Sequence, residues 1–446
     1  MRPGKRLIRK SIHLGTGLVV LGLTFLFEKP VLLALIGVGT IFAFLTYHYK
    51  TFHLLHKTSD ASLGTLFYPV GLLTAFILLY NMPLTFFRIS LLLLTISDTV
   101  ANITGHIRPG NRYFNLFKKE EKSFYGVLGF AGTTLLIFNI MLPDSYFGWH
   151  AYVLWAIMLA AIFEIVSFRG SDNFSVPAGT ALFFLIMETS ENNLFFLIPV
   201  FLVTATGSYL LYRMALLTRN GTILVFFLGI YFFGVLGLAW TVPVLLFFFS
   251  SVLLTRISTA LRGKSRSSNR RNAWQVLANI FWALLTSSAF LITRQDIFIY
   301  LYITLLAAVT ADTWSSEAGP VFHKRCLSLK DFRMHESGIS GGISTAGTIA
   351  SLAGSLLISL TGYYLFFGTL DPVTILWLTL AGFVAGFADT LLGTFLEKKL
   401  ERVPLLRQPS MEEAETPSPN DVVNLMGSLA APVSFWMLME LFSGVI

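Results

Sequence analysis

The stretch 297–314, IFIYLYITLLAAVTADTW, decides how the rest of the chain is read. It runs without a charge from Ile297 until Asp312, and a membrane-spanning helix takes about 20 such residues. Its carboxylate stands at the end of the apolar run, not at its middle. Similar runs recur along all 446 residues, of which 54% are hydrophobic and 13% charged. Soluble domains carry roughly 25% charged residues, and the mean hydropathy here is +0.70. A soluble globular protein is excluded, and an all-α, polytopic integral membrane protein is expected.

Runs bounded by charge or by Pro and Gly place spans near 11–27, 31–47, 64–80, 84–103, 124–142, 149–167, 174–187 and 193–212. The second half adds 222–238, 241–258, 274–292, 297–314, 342–364, 372–393 and 422–443. The total is about 13–15 helices by the length rule, arranged as two tandem bundles, 1–205 and 206–446. The run 174–187 is short enough to be re-entrant or broken. Basic residues test the alternation independently, because cytoplasmic loops hold the Lys and Arg. With Arg2, Lys5, Arg6, Arg9 and Lys10 inside, the even-numbered loops carry Lys50 and Lys57, Arg108 to Lys122, Arg169, Arg213 and Arg219, Arg262 to Arg271, Lys324 to Arg333, and Lys398 to Arg407. Of the 32 Lys and Arg, only Lys29, Arg88 and Arg294 fall on the other side. The net charge of +8 is therefore mainly topology, with some affinity for anionic lipid or nucleotide and no argument for nucleic acid.

The basic, apolar start lacks a small-x-small cleavage site before Phe27-Glu28-Lys29-Pro30, so the first segment is expected to be retained. Asn102, Asn173 and Asn220 match the glycosylation pattern but fall near the expected cytoplasmic face, and are discounted. The Pro/Ser/Glu-rich stretch Gln408 to Pro419 is expected to be a mobile loop. One cysteine, Cys326, excludes an internal disulfide framework or a multi-thiolate zinc site and argues against redox chemistry.

Ionisable residues in spans are costly and mark function by default. Three share a form: Asp98-Thr99, Asp312-Thr313 and Asp389-Thr390 each close a span at the same expected face. Carboxylate and hydroxyl oxygens suit Mg²⁺, a hard cation that bridges nucleotide phosphates; an interfacial Asp–Arg pair or a helix cap is the alternative. The loop Gly105 to Ser123 supplies His106, Arg108, Arg112, Lys118, Lys119 and Lys122, which could neutralise a triphosphate or simply mark the inside. Glu164 lies late in the sixth span, and Asp172-Asn173 before Pro177 makes either an oxygen-presenting turn or a plain one. Glu317 follows Asp312 by five residues, and Asn420, Asp421 and Asn424 open the last span, with the two asparagines on one helical face. Gly338 to Ser344 offers backbone N–H groups to phosphate at a helix start, while Gly347, Ala350, Ala353 and Gly354 suit close helix packing.

Residues 1 to about 205 resemble the membrane phytol kinase and dolichol kinase family. The resemblance rests on Arg9, Lys10, His13 and Gly17, on Gly64 to Pro69, on Asp98-Thr99 with Gly105, on Lys122-Ser123 with Gly126, and on Glu164, Asp172-Asn173 and Pro177. Ser97 stands where that family usually has Gly. Residues 206–446 are similar to the membrane family that includes phytyl-phosphate kinase, through Thr218 to Gly221, Thr255 with Lys264, Arg271 to Asn279, Ala311 to Glu317, Gly338 to Ser344, Asp389 to Gly393 and Asn420 to Asn424. The resemblance implies two sequential kinases: an isoprenoid alcohol becomes the monophosphate and then the diphosphate, with CTP as donor. An alcohol must lose its proton on attack, so the first site needs a base or strong polarisation; a phosphate monoester is already anionic and needs charge neutralisation instead. The first site is then expected to use Asp98 and Asp172 for Mg²⁺ and the hydroxyl, with Arg9, Lys10, His13, Lys122, Ser123 and Asn173 toward phosphate. The base is left open. The second site is expected to use Asp312, Glu317, Asp389 and Asp421 as metal ligands and Arg219, Arg271, Asn279, Gly341 and Gly342 on phosphates. A CDP-lipid synthase, releasing pyrophosphate, and a lipid transporter are the rival functions. The acids gather at one face and not at the midplane, which disfavours transport. Fusion of two kinases would raise the effective concentration of a bilayer-confined intermediate.

Overall fold

The computed structural model describes residues 3–49, 64–107, 112–114, 121–142, 153, 155–159, 171–189, 194–262, 270–323, 325–339, 341–403 and 417–442. Glu164, Lys264 and residues 408–416 lie outside these, as do the side chains of Arg9, Lys10 and Lys122. Among the described residues eleven helices are long and apolar enough to cross a membrane, and two shorter apolar helices cover Ile12–Leu26 and Leu66–Leu78. The expected span at 149–167 falls mostly outside the described residues. The chain is a multi-pass, α-helical integral membrane protein, and it forms two compact units, Met1–Pro199 and Val200–Ile446.

In the first unit, α1 (Pro3–Leu26), α2 (Lys29–Tyr49) and α3 (Gly64–Leu78) precede α4 (Leu84–Leu92), which passes through a π-helical turn, Leu93–Ser97, into α5 (Asp98–Ile107). A short antiparallel hairpin, β1 (Arg112–Phe114) with β2 (Glu121–Ser123), leads to α6 (Phe124–Met141) and then α7 (Asp172–Thr189). The short run, expected to be re-entrant or broken, lies in α7, an unbroken 18-residue helix. Every residue from Ser175 to Met187 is buried. Helix α8 (Leu194–Arg213) carries the chain into the second unit.

That unit contains α9 (Arg219–Gly229) with a π-helical continuation Ile230–Leu236, α10 (Leu238–Leu261), α11 (Ala273–Thr293), α12 (Ile297–Phe322), α13 (Thr345–Phe367) and α14 (Pro372–Leu400). The last expected span is two helices, α15 (Pro419–Gly427) and α16 (Ala430–Phe442). Between α12 and α13 lie β3 (Arg325–Ser328), β4 (Met334–Glu336) and β5 (Gly342–Ile343), in the order β4-β3-β5. Helix α12 is the hub, packing on α10, α11, α13, α14 and α16. Without a hydrophobic driving force between helices in lipid, close approach depends on small residues. A methyl at Gly354 would stand 3.0 Å from the Trp314 ring, and one at Gly382 would stand 2.7 Å from Ala307 Cβ. The packing expected of Gly354 is therefore present.

Candidate functional site

Helix α12 is buried from Tyr302 to Ala311, and the half-buried Asp312 follows. Facing it, α14 brings Asp389, and the two carboxyl groups hydrogen-bond to each other. Two carboxylates this close cannot both stay ionised unaided, so the contact needs a shared proton or a cation. Two glycines make it possible. A methyl at Gly386 would stand 3.3 Å from Asp312 N, and one at Gly427, the last residue of α15, would stand 2.7 Å from Asp389 Cγ. Gly427 was not among the sequence candidates. A glycine at the end of a helix gives no sign of the carboxylate it must accommodate.

Beside this pair, Asn424 Nδ2 donates to Asn279 Oδ1 at 3.2 Å, joining α15 to α11. Asn424 Oδ1 is buried without a hydrogen-bond partner. Asn424 lines the cavity, so this oxygen is open to a donor from water or from a ligand there. Asn279, Asn424, Asp312, Asp389 and Ser428 line one small space. It adjoins a larger cavity of about 530 Å³, within the range of roughly 300–1,000 Å³ usual for small-molecule sites.

The larger cavity draws Arg271, Gln275 and Asn279 from the α11 region, Asp312, Ser316 and Glu317 from α12, Asp389, Thr390 and Glu397 from α14, and Asn420, Asp421 and Asn424 from α15. Of the expected second-half residues it brings together Asp312, Glu317, Asp389, Asp421, Arg271, Asn279, Gly341 and Gly342; Arg219 is not in its lining. The four acids nevertheless do not form one metal cage. Among the described residues no group of three or more His, Cys, Asp or Glu side chains could hold a metal ion. Glu317 accepts from Thr255 Oγ1 at 2.8 Å and pairs with Arg262 at 3.3 Å. Asp421 Oδ2 accepts from Ser418 N at 2.7 Å, capping its own helix. Thr99, Thr313 and Thr390 each donate the hydroxyl proton to the carbonyl four residues back, which leaves the oxygen lone pairs able to meet a cation. The Asp312–Asp389 pair, with Asn424 Oδ1 beside it, adds further hard oxygen donors.

Two sequence motifs are zipped together at the cavity's edge. Thr218 N donates to Arg271 O at 3.0 Å and Arg271 N to Leu216 O at 2.9 Å, a parallel bridge that ties the start of α9 to the start of α11. Gly221 is needed because a methyl there would stand 2.7 Å from Arg271 O. Thr218 caps α9, so Arg219 is its first residue; Asn272 and Gln275 form a capping box on α11. Burial pushes the Arg271 guanidinium down in pKa, and the nearby Glu317 opposes that shift. In the glycine loop, Gly338 and Gly341 take φ of +100° and +77°. The amide of Gly342 donates to Ile339 O at 3.2 Å, so this expected phosphate donor is engaged in the turn.

In the first unit, His13 Nε2 donates to Leu94 O at 3.2 Å, and Gly17 leaves no room for a methyl against Thr95. Both meet the π turn that leads into the half-buried Asp98. π turns of this kind recur at functional sites. Asn173 N donates to Asp172 Oδ1 at 3.0 Å, and the backbone there packs against Gly71 of α3, where a methyl would stand 2.8 Å from Phe174 Cα. Gly105 stands against Ser123 and Gly126, at 3.4 and 3.6 Å from the position of an added Cβ.

A family described as Integral membrane protein DUF92 matches residues 202–431. The chain belongs to this family. The DUF92 region thus contains the whole carboxyl–amide site. An uncharacterised membrane protein of Methanocaldococcus jannaschii is 32% identical over 168 residues, 36% of this chain and 67% of that protein. One from Synechocystis is 26% identical over 179 residues, 39% of this chain and 69% of that protein. No solved structure matches.

Proposed function

We propose that the second unit is a membrane-embedded isoprenyl-phosphate kinase, and that the first makes its monophosphate substrate from an isoprenoid alcohol such as phytol or geranylgeraniol. The observation that carries this is the convergence of Asp312, Asp389, Asn279, Asn424 and a half-buried Arg271 on one cavity at the end of an apolar helix. A nonbridging oxygen of the monophosphate attacks the γ-phosphorus of a nucleoside triphosphate, CTP by family resemblance. The bond from that phosphorus to the β-phosphate oxygen breaks, and the diphosphate leaves. The nucleophile is already anionic, so the site needs no base.

It needs positive charge. Among the described residues Asp312, Glu317, Asp389, Glu397 and Asp421 line the cavity against Arg270 and Arg271, a balance that by itself repels a polyphosphate. Mg²⁺ is bound through one or two carboxylates completed by substrate phosphates, which suits a carboxyl pair better than a cage would. When bound it would neutralise the phosphate oxygens, with Asp312, Asp389 and Asn424 holding it. In the first unit, Asp98 and Asp172 would orient the alcohol, and the Lys and Arg pattern supports a cytoplasmic face for each site. The test is purified full-length protein in detergent with Mg²⁺, labelled CTP and geranylgeraniol or its monophosphate. Lipid diphosphate with CDP is expected. Pyrophosphate release would assign a CDP-lipid synthase, and no lipid product would overturn both.

A further inference from the structure

The hairpin between α12 and α13 has two unlike faces. In its ladder Arg325 pairs with Glu336, Cys326 with His335 and Leu327 with Met334. Strand alternation buries Cys326 and Ser328 and exposes Arg325 and Leu327. The Leu327–Met334 pair therefore makes an apolar cross-strand patch on the outer face. Met334 is 60% exposed and Phe332, at the turn, 75% exposed. Phe332 holds φ +54° and closes the turn, its amide donating to Ser328 O, which projects the ring from the hairpin tip. Around this patch Arg325, Lys330 and Arg333 are exposed, against the acids Asp331 and Glu336. Asp331 is occupied locally: His335 Nε2 lies 2.8 Å from its carboxylate, across the turn.

We propose that the hairpin Arg325–Glu336 docks on an anionic lipid surface, with Phe332 and Met334 in the headgroup layer. Aromatic side chains settle at the membrane–water interface, and Lys and Arg beside them are drawn to anionic headgroups. Geometry favours lipid as the occupant, because the hairpin continues directly from α12, a membrane-spanning helix ending at Phe322. Its inner face, through Cys326, Gly341 and Gly342, is a wall of the cavity. Docking would hold that wall at the surface where an amphiphilic phosphate resides. The surface interaction itself does not depend on the phosphotransfer proposed above.

The full-length chain carrying Cys326→Ser and Phe332→Cys, labelled with an environment-sensitive thiol fluorophore, tests this in nanodiscs containing shallow nitroxide lipids. Met334→Cys provides a second position should the first variant fail to fold. Blue-shifted emission quenched by nitroxide in phosphatidylglycerol discs, and quenched less in phosphatidylcholine discs, is expected. Unquenched, water-like emission in phosphatidylglycerol overturns the docking. Equal quenching in the two lipids overturns the anionic preference. A blue shift without quenching would place protein, not lipid, against the hairpin and also overturns it.

Discussion

Asp312 and Asp389 illustrate how one residue's meaning depends on another far away in the chain. Each closes an apolar span, and each is paired with a threonine whose hydroxyl proton goes to its own helix. Only their mutual contact makes them a site. Asp312→Asn preserves size and a hydrogen bond to Asp389 but removes a charge. It should abolish isoprenyl-phosphate phosphorylation while the detergent-solubilised protein melts normally; unchanged turnover would sink the kinase assignment. Gly427→Ala probes the same pair from the opposite side, since the methyl collides with the Asp389 carboxyl group. Overpacking should cost about 1–3 kcal/mol in stability, and displacement of Asp389 should lower kcat on the order of a hundredfold. Parental kcat in that variant would mean that Asp389 need not be fixed. The acids were visible in the sequence because charge at the end of an apolar run is conspicuous. Gly427 was not, because its role is defined only by the side chain it leaves room for.

Among the elements, the zipper between the starts of α9 and α11 is where two distant motifs become one structure. Thr218 and Arg271 exchange backbone hydrogen bonds with each other's segments, and Gly221 allows the approach. Gly221→Ala should force the two loops apart, destabilise the protein by about 1–3 kcal/mol and move Arg271 at the cavity wall. Substrate KM should then rise more than kcat falls, because the pair positions a binding group and not the carboxyl centre. An unaltered melting temperature with unaltered KM would show that the zipper is dispensable. The expected spans at 222–238 and 274–292 begin just after Thr218–Gly221 and Arg271–Asn272, which puts both motifs near helix starts. Nothing in either motif pairs them across the fifty residues between. At 174–187 shortness suggested a re-entrant or broken helix; α7 is unbroken, and its burial by surrounding protein could not be read from the run itself.

For the whole molecule, two units in one chain would keep the membrane-bound monophosphate of the proposed reaction near its second site. If the first makes the monophosphate, separate expression of residues 1–193 and 194–446, a cut that leaves α8 whole, in one membrane should lower diphosphate yield and let monophosphate accumulate, read by lipid product analysis. Equal yield from the separated halves would remove any advantage of fusion. The amino-acid sequence by itself determined that this is a helical, multi-pass membrane protein, because the transfer of apolar segments into a bilayer is a property of composition and length. It also determined which polar residues are costly enough to need a reason. Which of those residues meet was decided by tertiary structure alone. Glu317 pairs with Arg262, Asp421 caps its own helix, and Asp312 finds Asp389, because carboxylates compete for nearby donors through contacts a few ångströms long. Such contacts are set by helix packing at glycines and leave no periodic trace in the chain.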